Sequence, residues 1–169
     1  MEKAGILRSP DDEIRAAART LLAGARFGAL AVLLQAPTRP FVTRIAVLAP
    51  PGGAPVSLVS GLSRHTGALA KNPACSLMVG EPGPKGDPLA HPRLSLECRA
   101  EFIRRDSPEF PALRGFWLEQ VPKARLYADF ADFSFVRFRV TAGFLNGGFG
   151  LASALSPADL GIEPDAAPA

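Results

Sequence analysis

The stretch Arg93-Leu-Ser-Leu-Glu-Cys-Arg-Ala-Glu-Phe-Ile103 decides the fold class. Leu94, Leu96, Cys98, Ala100 and Phe102 alternate with Ser95, Glu97, Arg99 and Glu101, a period of two that a helix cannot present. One apolar and one polar face over a run this long predict an antiparallel strand with one side on a core. Phe133 to Phe144 repeats the pattern, with Val136, Phe138, Val140, Ala142 and Phe144 on one face.

Upstream of this pair, Ala74 to Val79 and Val56 to Ser60 read as short strands. Phe27 to Leu34 and Phe41 to Leu48 read as a hairpin turning through Gln35–Pro40. Gly80 to Pro92 holds four prolines and three glycines and reads as a loop.

Helical spacing appears in a few places. Ser9-Pro10 followed by Asp11, Asp12 and Glu13 predicts a helix start with Ser9 as its cap, and Ile14, Ala17, Ala18, Leu21 and Leu22 form the apolar face before Gly24. Ser63 reads as the cap of a two-turn helix over Arg64–Lys71, stopped by Asn72-Pro73. Ser107-Pro108-Glu109 starts another helix running to about Gln120, and Pro122 a short one ending near Ala128. The segment from Ser153 onward has no periodicity and reads as frayed. Six strands with short connections and small helices predict a mainly β (α+β) domain, an antiparallel barrel with peripheral helices over residues 1–155, and a disordered tail over 156–169.

Composition narrows the function classes. The chain has 169 residues, 47% hydrophobic and 21% charged, long enough for its own core. Its net charge of +3 is too small to mark a nucleic-acid surface but suits a small anion. The apolar run Phe27–Leu34 is far short of the ~20 residues a membrane helix needs. The first twelve residues lack a secretory pattern, so a cytoplasmic location is expected. Cys75 and Cys98 read as buried thiols, and no CxxC, HExxH, GxGxxG or GxSxG spacing is present, so no metal site is expected. With two histidines and no triad spacing, a bound cofactor is a better source of reactive atoms than side chains, and no catalytic acid or base is assigned.

The segment Ser60-Gly-Leu-Ser-Arg-His-Thr66 follows a strand and opens a helix. A helix N-terminus there, hydroxyls from Ser60, Ser63 and Thr66, and the fork of Arg64 with Arg44 beside it describe a pocket for one phosphate. On their own the same residues read more readily as ordinary capping. His65 fits a metal ligand, a flavin-edge donor or a surface residue, and Asn146-Gly-Gly-Phe-Gly150 suits close approach of backbone to a flat ligand or a plain turn.

Thr43-Arg-Ile-Ala-Val47, Ser60-x-x-Ser-Arg-His-Thr66 and Lys71-Asn-Pro-Ala-Cys-Ser-Leu77 together resemble the pyridoxamine 5′-phosphate oxidase-like FMN-binding split barrels. Gly86-Asp-Pro-Leu89, Arg93-Leu-Ser-Leu-Glu97, Tyr127-Ala-Asp-Phe-Ala-Asp-Phe133 and Leu145-Asn-Gly-Gly-Phe-Gly150 are similar to its HugZ-like, haem-utilisation branch. The resemblance covers residues 10 to 155. It implies a six-stranded split β-barrel, a homodimer with two FMN sites at its interface, and a flavin-dependent oxidoreductase acting on an unassigned small molecule. It implies that Arg44 and Arg64 pair with the FMN phosphate, that Thr43, Ser60, Ser63 and Thr66 contact it nearby, and that the Ile45 backbone lies along the ring. His65 stands where the oxidases often have Lys, and Arg93 where they place a Gln near the ring, which argues against a vitamin substrate. The alternative from the same branch is a haem-binding or haem-degrading protein. No histidine follows His91 to serve as the C-terminal iron ligand some members use, while Arg93 suits haem propionates.

Overall fold

In a computed structural model, which describes residues 9–148 and 152–163, seven strands form one antiparallel sheet. They are β1 (Phe27–Leu34), β2 (Arg39–Ala46), β3 (Val56–Ser60), β4 (Ala74–Val79), β5 (Arg93–Ile103), β6 (Phe133–Asn146) and β7 (Ala152–Leu155). Three helices accompany them: α1 (Asp12–Gly24), α2 (Arg64–Lys71) and α3 (Phe110–Gln120), with 3-10 turns at Pro88–Ala90 and Pro122–Leu126. The strand order is β2-β1-β4-β5-β6-β3, with β7 added against β6. The two ends of this path meet where Leu48, just beyond β2, bridges Val56 of β3. The sheet thereby curls into the split barrel. No described helix is long and apolar enough to cross a membrane.

The alternation of β1, β4 and β5 puts Leu30, Val32, Leu77, Leu94 and Leu96 inside the barrel, where α1 adds Ile14, Ala18 and Leu22. A second core lies under α3, where Trp117 and Phe110 meet Phe135 of β6 edge-on, at ring separations of 5.8 and 5.6 Å.

Several sequence expectations are corrected. The cap of α1 is Asp11 rather than Ser9: its carboxylate accepts the Ile14 N–H at 2.9 Å, and an anionic acceptor suits the positive end of the helix better than a hydroxyl two residues early. Ser63 holds the cap position of α2, but its side chain makes no capping bond. α3 starts at Phe110, after a turn in which the Ser107 carbonyl accepts the Phe110 N–H. β2 begins at Arg39, because Leu34 pairs Arg39 and shortens the hairpin loop.

The alternation of β6 does not continue to Phe144. Glu97 pairs Ala142 while Cys98 pairs Val140, which leaves Thr141 as the extra residue of a β-bulge, its hydroxyl donating to the Glu97 carbonyl. One inserted residue reverses the faces beyond it. Gly143 and Leu145 therefore face the core and Phe144 is exposed. The segment from Ser153 is not frayed: Ala152–Leu155 form the seventh strand, and Leu155 and the following Leu160 complete the core. Within the expected tail, Ser156–Glu163 fold back, tied by Asp159 to Arg15 of α1, while 164–169 lie outside the described residues.

Candidate functional site

The β3–α2 turn is fastened to the start of β6. Ser60 Oγ donates to Asp132 Oδ2 at 2.9 Å and accepts the Leu62 N–H, and the Gly61 N–H donates to the Asp132 carbonyl at 2.5 Å. A side chain at Gly61 would press on that carbonyl, its Cβ only 3.1 Å away. Thr66 Oγ1 donates to the Ser60 carbonyl at 2.7 Å. The hydroxyls of Ser60 and Thr66 thus shape the turn. What remains for a ligand is Ser63 Oγ, the Arg64 side chain, and the N–H groups of Arg64 and His65, which have no acceptor among the described residues. Asp132 was not singled out from sequence, although it lies in the Tyr127–Phe133 segment that supports the family resemblance.

On β2, Thr43 and Ile45 point inward, half-buried and buried, while Arg44 points outward. Its guanidinium lies 5.2 Å above the Phe27 ring and 4.0 Å from Glu81. Arg64 lies 5.1 Å above a different ring, Phe41. Arg93, at the start of β5, donates from Nη1 to the Leu89 carbonyl at 3.1 Å. Within one chain the three arginines therefore have separate neighbours. Arg44 and Arg93 share the outward face of the sheet but stand three strand spacings apart across it and two residues apart along it, about 16 Å in all.

That outward face carries the large hydrophobic side chains that the described strands expose. Register aligns Arg44, Ala29, Met78, Ser95, Phe144 and Ala154 in one row across the strands. Met78 and Phe144 of this row are exposed, as are Phe27, Leu33 and Val42 on the same face. Ala29 and Ser95 are small residues of that row beside them. A groove of about 550 Å³ beside this row runs along Ala31, Pro40, Ser76 and Glu97.

The two histidines differ. His91 is engaged at both ring nitrogens: Nδ1 accepts the Gly83 N–H at 3.2 Å and Nε2 lies 2.8 Å from the Lys85 carbonyl, to which it donates. His65 is half-buried, has no side-chain partner among the described residues, and burial lowers its pKa below the ordinary imidazole value. Burial thus favours the neutral ring, the form that offers a lone pair to a metal. Cys75 and Cys98 face each other across β4 and β5. Burial pushes the Cys75 thiol up to about 11 and the Cys98 thiol higher still, so neither is a ready nucleophile. Phe149 and Gly150 of the glycine-rich motif lie outside the described residues.

No protein-family model matches the chain. The chain is 33% identical over 137 residues to the chloroplastic non-canonical heme oxygenase HOZ of Arabidopsis thaliana, covering 80% of this chain and 39% of that one. It is 30% identical to the heme binding protein from Mycobacterium smegmatis, at a TM-score of 0.78, covering 92% of this chain and 62% of that one. A further solved chain, 40% identical with a TM-score of 0.79, matches over 90% of this chain and 99% of its own length. The chain thus spans about two fifths of the curated relative it matches and under two thirds of the mycobacterial structure. Structures under 25% identical, among them a pyridoxinephosphate oxidase-family protein from Clostridium acetobutylicum, share the fold alone. The motif order, the antiparallel split barrel and these likenesses agree: the chain belongs to the pyridoxamine 5′-phosphate oxidase-like split-barrel superfamily, in its HugZ-like branch.

Proposed function

We propose that this protein binds haem and works as a homodimer, with the ligand at the margin of the outward sheet face. The observation that carries this reading is that face itself, where exposed Phe27 and Met78 stand on the strands between outward-pointing Arg44 and Arg93, and exposed Phe144 stands on the strand beyond Arg93. A porphyrin presents a flat apolar disc with two carboxylates at one edge, so it asks for apolar area beside cations. An iron centre also asks for a neutral nitrogen donor, and His65 is the histidine whose ring is not already bonded. The heme names of the Arabidopsis and Mycobacterium relatives support the same ligand. When bound, the group would supply iron chemistry. Of the chain's residues, Arg93 would hold the carboxylates, the apolar face would exclude water, and His65 would present its lone pair.

A titration of the purified protein with haem tests this. The expected result is a Soret band that saturates at one haem per chain, weakened in Arg93→Ala and altered in position in His65→Ala. A haem spectrum no different from haem in buffer would overturn the reading. The dimer is tested separately by light scattering, where Phe144→Asp and Met78→Asp are expected to give monomers.

A second reading, FMN binding with flavin-dependent oxidoreductase activity, is favoured by one feature. The Arg64 and His65 N–H groups, Ser63 and the Arg64 side chain all stand at the α2 N-terminus, where a phosphate is stabilised. FMN added in the same assay should then quench its fluorescence on binding. A protein that leaves FMN fluorescence unchanged has no such site.

A further inference from the structure

Seven residues of α2 and the neighbouring hairpin enclose a cleft of about 270 Å³. Arg64, Gly67, Ala68 and Lys71 supply one wall, spaced as one face of the helix. Leu34, Gln35 and Arg39 supply the other, where β1 turns into β2. Three cations thus line one small concavity, and none of them has an acidic partner among the described residues, whereas Arg15, Arg104, Arg114 and Arg137 each have one. Three like charges gathered without a counter-charge repel one another. The Arg64 guanidinium lies 5.1 Å from the Phe41 ring centroid, an attraction that favours one placement of its fork before any ligand arrives. The helical wall leaves space because residue 67 is glycine: a Cβ there meets nothing within 4 Å, so a larger side chain would project into free space.

We propose that this cleft is an oxyanion site for a phosphate group of at least two negative charges, with pyrophosphate as the simplest ligand. Two guanidinium forks, one ammonium and the Gln35 amide give donors to several oxygens at once, and the volume suits one or two phosphoryl groups rather than a porphyrin. The site shares only Arg64 with the phosphate contacts implied by the family resemblance; Arg39, Lys71 and Gln35 are outside them. It is independent of the haem reading, which uses Arg93 and His65.

Isothermal titration of the full chain with sodium pyrophosphate at low ionic strength tests the proposal, with chloride at equal ionic strength as the control. The expected result is saturable binding at one per chain. The double variant Arg39→Gln/Lys71→Gln should weaken it at least tenfold. Gly67→Leu should also weaken it at least tenfold while leaving every charge in place, and helix propensity favours its folding. Absence of saturable binding, or binding that survives Gly67→Leu unchanged, would overturn the proposal, since the latter is what diffuse surface charge gives. Should the double variant not fold, Gly67→Leu alone decides. FMN and riboflavin titrated in parallel identify the source of the phosphate. FMN weakened by Gly67→Leu makes the cleft the phosphate end of a flavin site; FMN indifferent to it makes the cleft a site for a free anion. Haem titrated into the same variants should be unchanged, so failure of one reading leaves the other readable.

Discussion

Replacing Phe135 by alanine should be among the most damaging single changes in the described fold. The ring is 1% exposed at the centre of the α3 core, between Phe110 and Trp117 at 5.6 and 5.8 Å. Truncation of a buried phenylalanine costs roughly 3–5 kcal/mol in transfer and cavity terms. Two edge-on ring contacts, each worth about 0.5–1.5 kcal/mol, are lost with it and place the expectation in the upper half of that range. At about 4 kcal/mol the midpoint of thermal unfolding should fall by roughly 8–16 °C for a domain of this size. Phe135→Leu keeps most of the volume and loses only the ring contacts, so it should cost about 1–2 kcal/mol. Trp117 is the single tryptophan of the chain, which makes urea unfolding followed by its fluorescence, with circular dichroism as the second probe, a report on this same core. A loss below about 2 kcal/mol for the alanine variant, or equal losses for the two variants, would refute the reasoning, because either result means that the rings are not what fills the cavity.

Three other predictions are independent of this one. Gly80 has φ +103, and a Cβ there would lie 2.6 Å from the Pro92 carbonyl and 2.9 Å from Arg93 Cα, so Gly80→Ala should cost about 1–3 kcal/mol in urea unfolding and weaken haem binding through Arg93. Asp159 is held down to about 2 by Arg15 and by the Ser156 hydroxyl and N–H, below its unfolded value of about 3.9, so the stability it contributes is present above pH ~4 and is lost as pH falls toward 2. Thermal midpoints of wild type and Asp159→Asn should therefore differ at pH 6 and converge near pH 2, and a constant difference would contradict this. Ellman's reagent at pH 8 should label the half-buried Cys75 slowly and Cys98 only on unfolding, and rapid labelling of both would show that the β4–β5 ladder opens readily.

The local pattern carried most of the elements. β1, β3, β4, β5 and α2 have the limits their own residues imply, since period and flanking Pro, Gly and Asn act over a few residues. The end of β6 was misread because an extra residue at Thr141 has no signature in the sequence of that strand alone; it exists only in the pairing with Glu97 and Cys98. β7 was missed for the same reason: Ala152–Leu155 is too short to show a period and is a strand because β6 offers it an edge. At the site, the turn motif and its arginines were legible as polar groups after a strand. That Ser60 and Thr66 are occupied by Asp132 and the turn backbone was not, because Asp132 lies 72 residues from Ser60.

The sequence by itself determined the class of fold and the family: alternation sets which residues can form half-buried strands, and motif order sets the resemblance. The tertiary structure alone decided how the cations are distributed. It placed Arg44 and Arg93 on one outward face, Arg64 with Arg39 and Lys71 around a cleft, His91 in a loop with both nitrogens engaged, and His65 without a partner among the described residues. The physical reason is that a side chain's direction follows from strand period, but its neighbours follow from register. Register is set by how the whole apolar face closes into the barrel core, which no single segment contains.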